Sequence, residues 1–152
     1  MIAALRPDSW NLPLLVHVLG AMVFVGLLMV LAVVLVVSLR DGGDRVAALR
    51  FAFRTLLLGL LPAYIVMRVG AEWVFSEENA DEDAAWIGIG YIVTDLGLLL
   101  LIATAVLLGL ARRRAASGTK EPRGLVRPAT AITFLLIAAY AVALWAMTAK
   151  PA

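Results

Sequence analysis

The chain of 152 residues has no cysteine, a single histidine and few charges, with only 16% Asp, Glu, Lys and Arg. Without thiols there is no disulfide, no thiolate metal site and no iron–sulfur cluster. One histidine rules out a His-Glu-x-x-His zinc motif. A phosphate-binding glycine loop and a nucleophile–base pair are missing too, so hydrolase chemistry has no candidate residues and the chain is not an obvious enzyme. A soluble domain carries about a quarter charged residues, and this composition excludes that class. Basic residues are also absent from one connection, SEENADEDAAW, which holds Glu77, Glu78, Asp81, Glu82 and Asp83.

What is present is apolar. Hydrophobic residues make up 63% of the chain, and its mean hydropathy is +0.97. They fall in four runs, from roughly Leu12 to Leu39, Phe51 to Phe75, Trp86 to Leu110 and Ala129 to Ala149. A bilayer core of about 30 Å needs about 20 helical residues, and each run reaches that length. None alternates polar and apolar as barrel strands do. The pattern predicts an all-α fold, an integral membrane up-down four-helix bundle forming a single domain over residues 1–152. The opening MIAALRPDSW has one arginine and no cleavage site closing a short apolar region, so a secretory signal peptide is not expected.

Loop charges predict the orientation. Arg40, Arg45, Arg50 and Arg54 lie between the first two runs, and Arg112, Arg113, Arg114, Lys120, Arg123 and Arg127 between the last two. Against the acidic second connection, this distribution places both basic loops in the cytoplasm and both termini outside. Topology accounts for the basic residues, so nucleic acid is not an expected partner; the lipid bilayer is. Local signals add detail. Asp8 or Ser9 suits a helix cap and Trp10 the headgroup layer. Gly42 and Gly43 mark a turn, Pro62 should kink the second helix, and Pro128 fits the first turn of the fourth.

Ionisable residues inside the apolar runs are the functional handle, since such residues at membrane depth are costly and normally pair inside the bundle. Arg68 and Glu72 share a helix face at i, i+4. Asp95 can approach Arg68 from the third helix, and Tyr91 lies one turn from Asp95 on the same face. Counted along the helices, His17, Arg68, Glu72 and Asp95 all fall in the outer half. His17 shares a stripe with Gly20, Ala21 and Phe24, where small residues let a backbone or a flat cofactor approach. Met147 lies near the depth of His17. Three readings of this group stay open: a ligand or cofactor site, a proton-coupled carrier requiring oligomerisation, and a structural network in a non-catalytic subunit or scaffold that only sets helix register.

The stretch LLVHVLGAMVFVGLLMV, with His17, Gly20, Ala21 and Gly26, resembles the first helix of bacterial membrane families related to the copper-resistance D-type domain. The whole chain is also similar to four-helix membrane proteins of actinobacteria, in which a helix like PAYIVMRVGAEW follows the histidine helix. The resemblance implies the plasma membrane of a bacterium and a haem b or copper site on its outer side. In that reading His17 is the axial or metal ligand, Gly20 makes room for the ring and Arg68 pairs with propionates. Haem b bundles usually use two histidines, so a second ligand would come from Met147, Met67 or the His17 of a second copy in a homodimer.

Overall fold

The computed structural model describes residues 8–40, 44–78, 85–118 and 121–149. A single 3-10 turn, Asp8–Trp10, leads into α1 (Asn11–Ser38). The second rod is α2 (Arg45–Thr55), a π turn (Leu56–Leu60) and α3 (Leu61–Glu78), followed by α4 (Ala85–Ser117) and α5 (Arg123–Ala149). There is no strand among the described residues. Four continuous helices, 27 to 33 residues long, are long and apolar enough to cross a membrane. The turn expected at Gly42 and Gly43 lies outside the described residues, as do Asp81, Glu82, Asp83 and Lys120.

The core follows from apolar spacing. Phe24, Leu28, Leu31 and Leu35 recur at helical intervals on α1 and are shielded almost completely. Leu49, Leu56 and Leu60 of the second rod, Leu101 and Leu108 of α4, and Val126 and Leu136 of α5 meet them. Phe24 is the aromatic centre, with ring centroids 4.7 Å from Tyr140 and 6.1 Å from Tyr64. The outside is apolar as well: Met22, Leu58, Leu99 and Leu144 are more than half exposed. A helix apolar all round suits a bundle surrounded by lipid.

Buried hydroxyls do not disturb this packing. Ser38, Thr104, Thr130 and Thr133 donate to carbonyls one turn back in their own helices, at 2.7–2.8 Å.

α1 lies along the second rod and α4 along α5, while α1 also meets α5 and α2 meets α4. The ring is closed everywhere but at one edge: α4 closes on α2, whereas its backbone hardly approaches α3. At the basic end the helices are tied by side chains. Asp44 Oδ1 accepts from the Ala47 amide at 2.9 Å and caps α2. Arg45 donates from Nε to the Ser38 carbonyl at 2.9 Å, satisfying the end of α1, and from Nη1 to Glu121 at 3.0 Å. Gly118, with φ +63°, takes the left-handed conformation that ends α4.

Three boundaries differ from the sequence expectation. The second helix starts at Arg45 instead of Phe51, and α4 continues through Arg112–Arg114 to Ser117. Arginine is a good helix former, so apolar runs mark the lipid-compatible part of a helix and not its ends. α5 starts at Arg123, which puts Pro128 inside the helix and not in its first turn. Before Pro62 the ladder widens into the π turn, where the Leu61 amide reaches the Leu56 carbonyl. Proline has no N–H to return to that turn, so a wider turn is tolerated there.

Candidate functional site

α3 presents two unlike faces. One is pressed onto α1. A Cβ placed on Gly20 would lie 2.6 Å from the Met67 nitrogen, and one on Gly70 would lie 2.6 Å from the His17 nitrogen. The two glycines act reciprocally: each lets the other helix's backbone in. At that crossing the His17 ring reaches the Met67 carbonyl at 3.0 Å. A carbonyl only accepts, so Nδ1 carries the proton and donates. Near the acidic end, Trp10 Nε1 donates to the Glu77 carbonyl at 3.1 Å and ties the same two helices.

The other face of α3 is held off α4 by side chains. Arg68 Nη2 lies 3.1 Å from Glu72 Oε1 and 3.5 Å from Asp95 Oδ1, so one cation joins two carboxylates. Its guanidinium sits 4.5 Å over the Tyr91 ring, and Tyr91 donates its hydroxyl to Glu72 Oε2 at 3.1 Å. Arg68 Nη1 also donates to Thr94 Oγ1 at 3.5 Å. Tyr64, one turn before Arg68, donates to the Thr94 carbonyl at 3.1 Å. Tyr64, Arg68 and Glu72 thus form one stripe at i, i+4 and i+8, braced against Tyr91, Thr94 and Asp95.

This group opens sideways. The Arg68 side chain is 26% exposed, Glu72 49% and Asp95 65%. The carboxylates face out of the bundle through the α3–α4 edge, among exposed Ile65, Val69, Ile92, Leu96 and Leu99.

The structure thus brings together Arg68, Glu72, Tyr91 and Asp95. It keeps His17, Gly20 and Met147 apart from them. His17 and Gly20 lie in the α1–α3 seam, while the Met147 methyl packs on Gly90 in the α4–α5 seam. The space expected beside Gly20 for a haem is filled by the Met67 backbone, so the residues present do not fit a haem at His17. A backbone carbonyl behind the imidazole is what a metal-ligating histidine commonly has. Yet no group of three or more His, Asp or Glu side chains that could hold a metal ion is found among the described residues.

Sequence reasoning missed Thr94, Tyr64 and Gly70. Tyr64 had a signal, its i−4 spacing from Arg68. Gly70 had one too, since Met67-x-x-Gly70 mirrors His17-x-x-Gly20. Thr94 had none, because a threonine in an apolar helix normally bonds its own backbone, as this one also does. In comparisons with protein-family models, curated proteins and solved structures, nothing matches this chain.

Proposed function

We propose that the protein is a non-catalytic subunit of a membrane complex, docking another transmembrane polypeptide against the α3–α4 edge in the outer half of the bundle. The observation behind this reading is the Asp95 carboxylate, 65% exposed on the outward face of an apolar membrane-length helix. A carboxylate at the helix centre costs about 2.5–3.5 kcal/mol on insertion scales, and one arginine between two carboxylates leaves a negative charge over. A polypeptide offering hydrogen bonds or a cation removes that cost; lipid tails do not.

The length of the charge-free belt points to the same edge. Thirteen residues separate Arg54 from Arg68 and sixteen separate Asp95 from Arg112, about 20 Å and 24 Å of helix. On the other side, thirty-one residues separate Asp8 from Arg40 and twenty-two separate Arg127 from Lys150, about 46 Å and 33 Å. Only the second side spans a hydrocarbon core of about 30 Å without a charge. Around the carboxylates at the outer end of the thin side, protein, not lipid, is the better neighbour. The distribution of loop charges further supports a bacterial plasma membrane with both termini outside.

A photo-crosslinking residue at Leu99, beside Asp95 on α4, is expected to give a polypeptide adduct in native membranes that disappears with Asp95→Asn. The same residue at Met22, on the far side of α1, is expected to give lipid adducts. Lipid adducts at both positions would overturn the docking reading. Labelling of Ser117→Cys from outside intact cells would overturn the orientation; the absence of native cysteines makes that experiment clean.

A further inference from the structure

A second feature lies toward the basic end, where α2 and α4 press together. The Phe53 ring packs against Gly109, where a Cβ would lie 3.3 Å from Phe53 Cε2. One turn further along α4, the Arg112 guanidinium sits 4.4 Å over the same ring. Stacking on an aromatic face orients a guanidinium and leaves its N–H edges free to bind an oxyanion. Arg50 and Arg54 lie on α2 within one turn of Phe53, and Arg113 follows Arg112 on α4. None of these four arginines pairs with a carboxylate among the described residues.

The described acids nearby, Asp44 and Glu121, are engaged elsewhere. Asp44 caps α2, and Glu121 bridges Arg45 at 3.0 Å and Arg123 at 3.5 Å. Among the described residues the α2–α4 seam is therefore positive and without a paired carboxylate, whereas the α5 start carries its own counter-charge.

We propose that this seam seats the phosphate of an anionic phospholipid, with Arg112 on its Phe53 platform as the oriented donor. Beside it, toward the bundle centre, Leu57, Leu58, Val106 and Leu110 are exposed and apolar, a surface suited to acyl chains. Charge complementarity selects an anionic headgroup, and the adjoining apolar surface selects a lipid over a free phosphate. The site is separate from the α3–α4 carboxylates by the sixteen residues between Asp95 and Arg112.

The test is native mass spectrometry of the purified protein with phosphatidylglycerol and phosphatidylcholine of identical acyl chains. Phosphatidylglycerol is expected to be retained in preference. Arg112→Ala should weaken its retention about fivefold, the share of one arginine near an anionic headgroup. Phe53→Leu keeps an apolar contact with Gly109 but removes the platform, and should show a comparable loss. Arg112→Lys keeps the charge and loses the planar stack, so it too should weaken retention, and it covers the case in which the Phe53 variant fails to fold. Arg127→Ala, on α5, should leave retention unchanged.

Equal retention of the two lipids would overturn the proposal. An Arg127→Ala loss as large as that of Arg112→Ala would also overturn it, by showing diffuse charge in place of a built site. Displacement of the lipid by excess glycerol phosphate would overturn the lipid assignment, because a soluble phosphate would then suffice.

Discussion

α3 meets α1 and α4 by opposite means. Against α1 it gives up side chains: Gly20 and Gly70 bring the two backbones into contact, and the His17 ring spans the remaining gap to the Met67 carbonyl. Against α4 it extends them: Arg68, Tyr64 and Glu72 reach across to Thr94, Asp95 and Tyr91 while the backbones stay apart. The first seam is dry packing, where dispersion and close fit dominate. The second is polar and half open, held by charges that lipid does not favour. One helix thus carries both a close backbone contact and a half-open edge. The open edge is the one with chemistry to offer.

Removing Arg68 should produce the largest change. Arg68→Met strands two carboxylates, and a loss of about 3 kcal/mol is expected in reversible unfolding in bicelles, the insertion cost of one such charge. Adding Glu72→Gln and Asp95→Asn should recover most of that loss, since no orphan charge remains. If the triple variant is as unstable as the single one, the ion pairs are not what joins α3 to α4.

The dry seam comes next. Gly70→Ala or Gly20→Ala forces a methyl into the opposing backbone, and about 1–3 kcal/mol of overpacking is expected. The same variants should release the His17 Nδ1 proton from its carbonyl, visible as faster exchange of that proton by NMR. Unchanged stability would mean that the helices separate freely and that the seam is not tight.

A smaller contrast separates two tyrosines that flank Phe24. Tyr64→Phe removes a hydrogen bond to Thr94 and should cost about 1 kcal/mol. Tyr140→Phe should cost nothing or stabilise slightly, because its buried hydroxyl, against Gly97, has no hydrogen-bond partner among the described residues. Equal losses in the two variants would show that the Tyr140 hydroxyl is satisfied in the folded protein.

Gly26 should give the smallest effect, and of opposite sign to that of Gly20. Nothing stands within 4 Å of a Cβ there, so Gly26→Ala should gain about 0.5–1 kcal/mol from helix propensity alone. A loss at Gly26 would place an unseen neighbour on that face of α1.

Much of this arrangement was legible in the residues. Four apolar runs announced four helices, because length and hydropathy are local properties of a chain. The i, i+4 spacing put Arg68 beside Glu72, and the cost of a charge among apolar residues suggested Asp95 as the third member. The role of Gly20 was not legible. A His-x-x-Gly stripe offers a smooth helix face, and the same face accepts a cofactor ring or a backbone equally well. Only the mirrored Met67-x-x-Gly70 shows which, and it matters only once α1 and α3 are known to cross there. Met147 was placed by depth alone, and depth does not specify which seam a side chain enters.

By itself, then, the sequence determined the helices, their apolar belts and the pairing of charges within α3, all of which depend on spacing along one chain. The tertiary structure alone decided that α3 touches α1 through glycines and stands off from α4. It therefore decided that His17 lies in the closed seam while Asp95 opens outward. The physical reason is that identical helical faces can meet different partners, and the choice rests on how four helices share one core, which no single helix encodes.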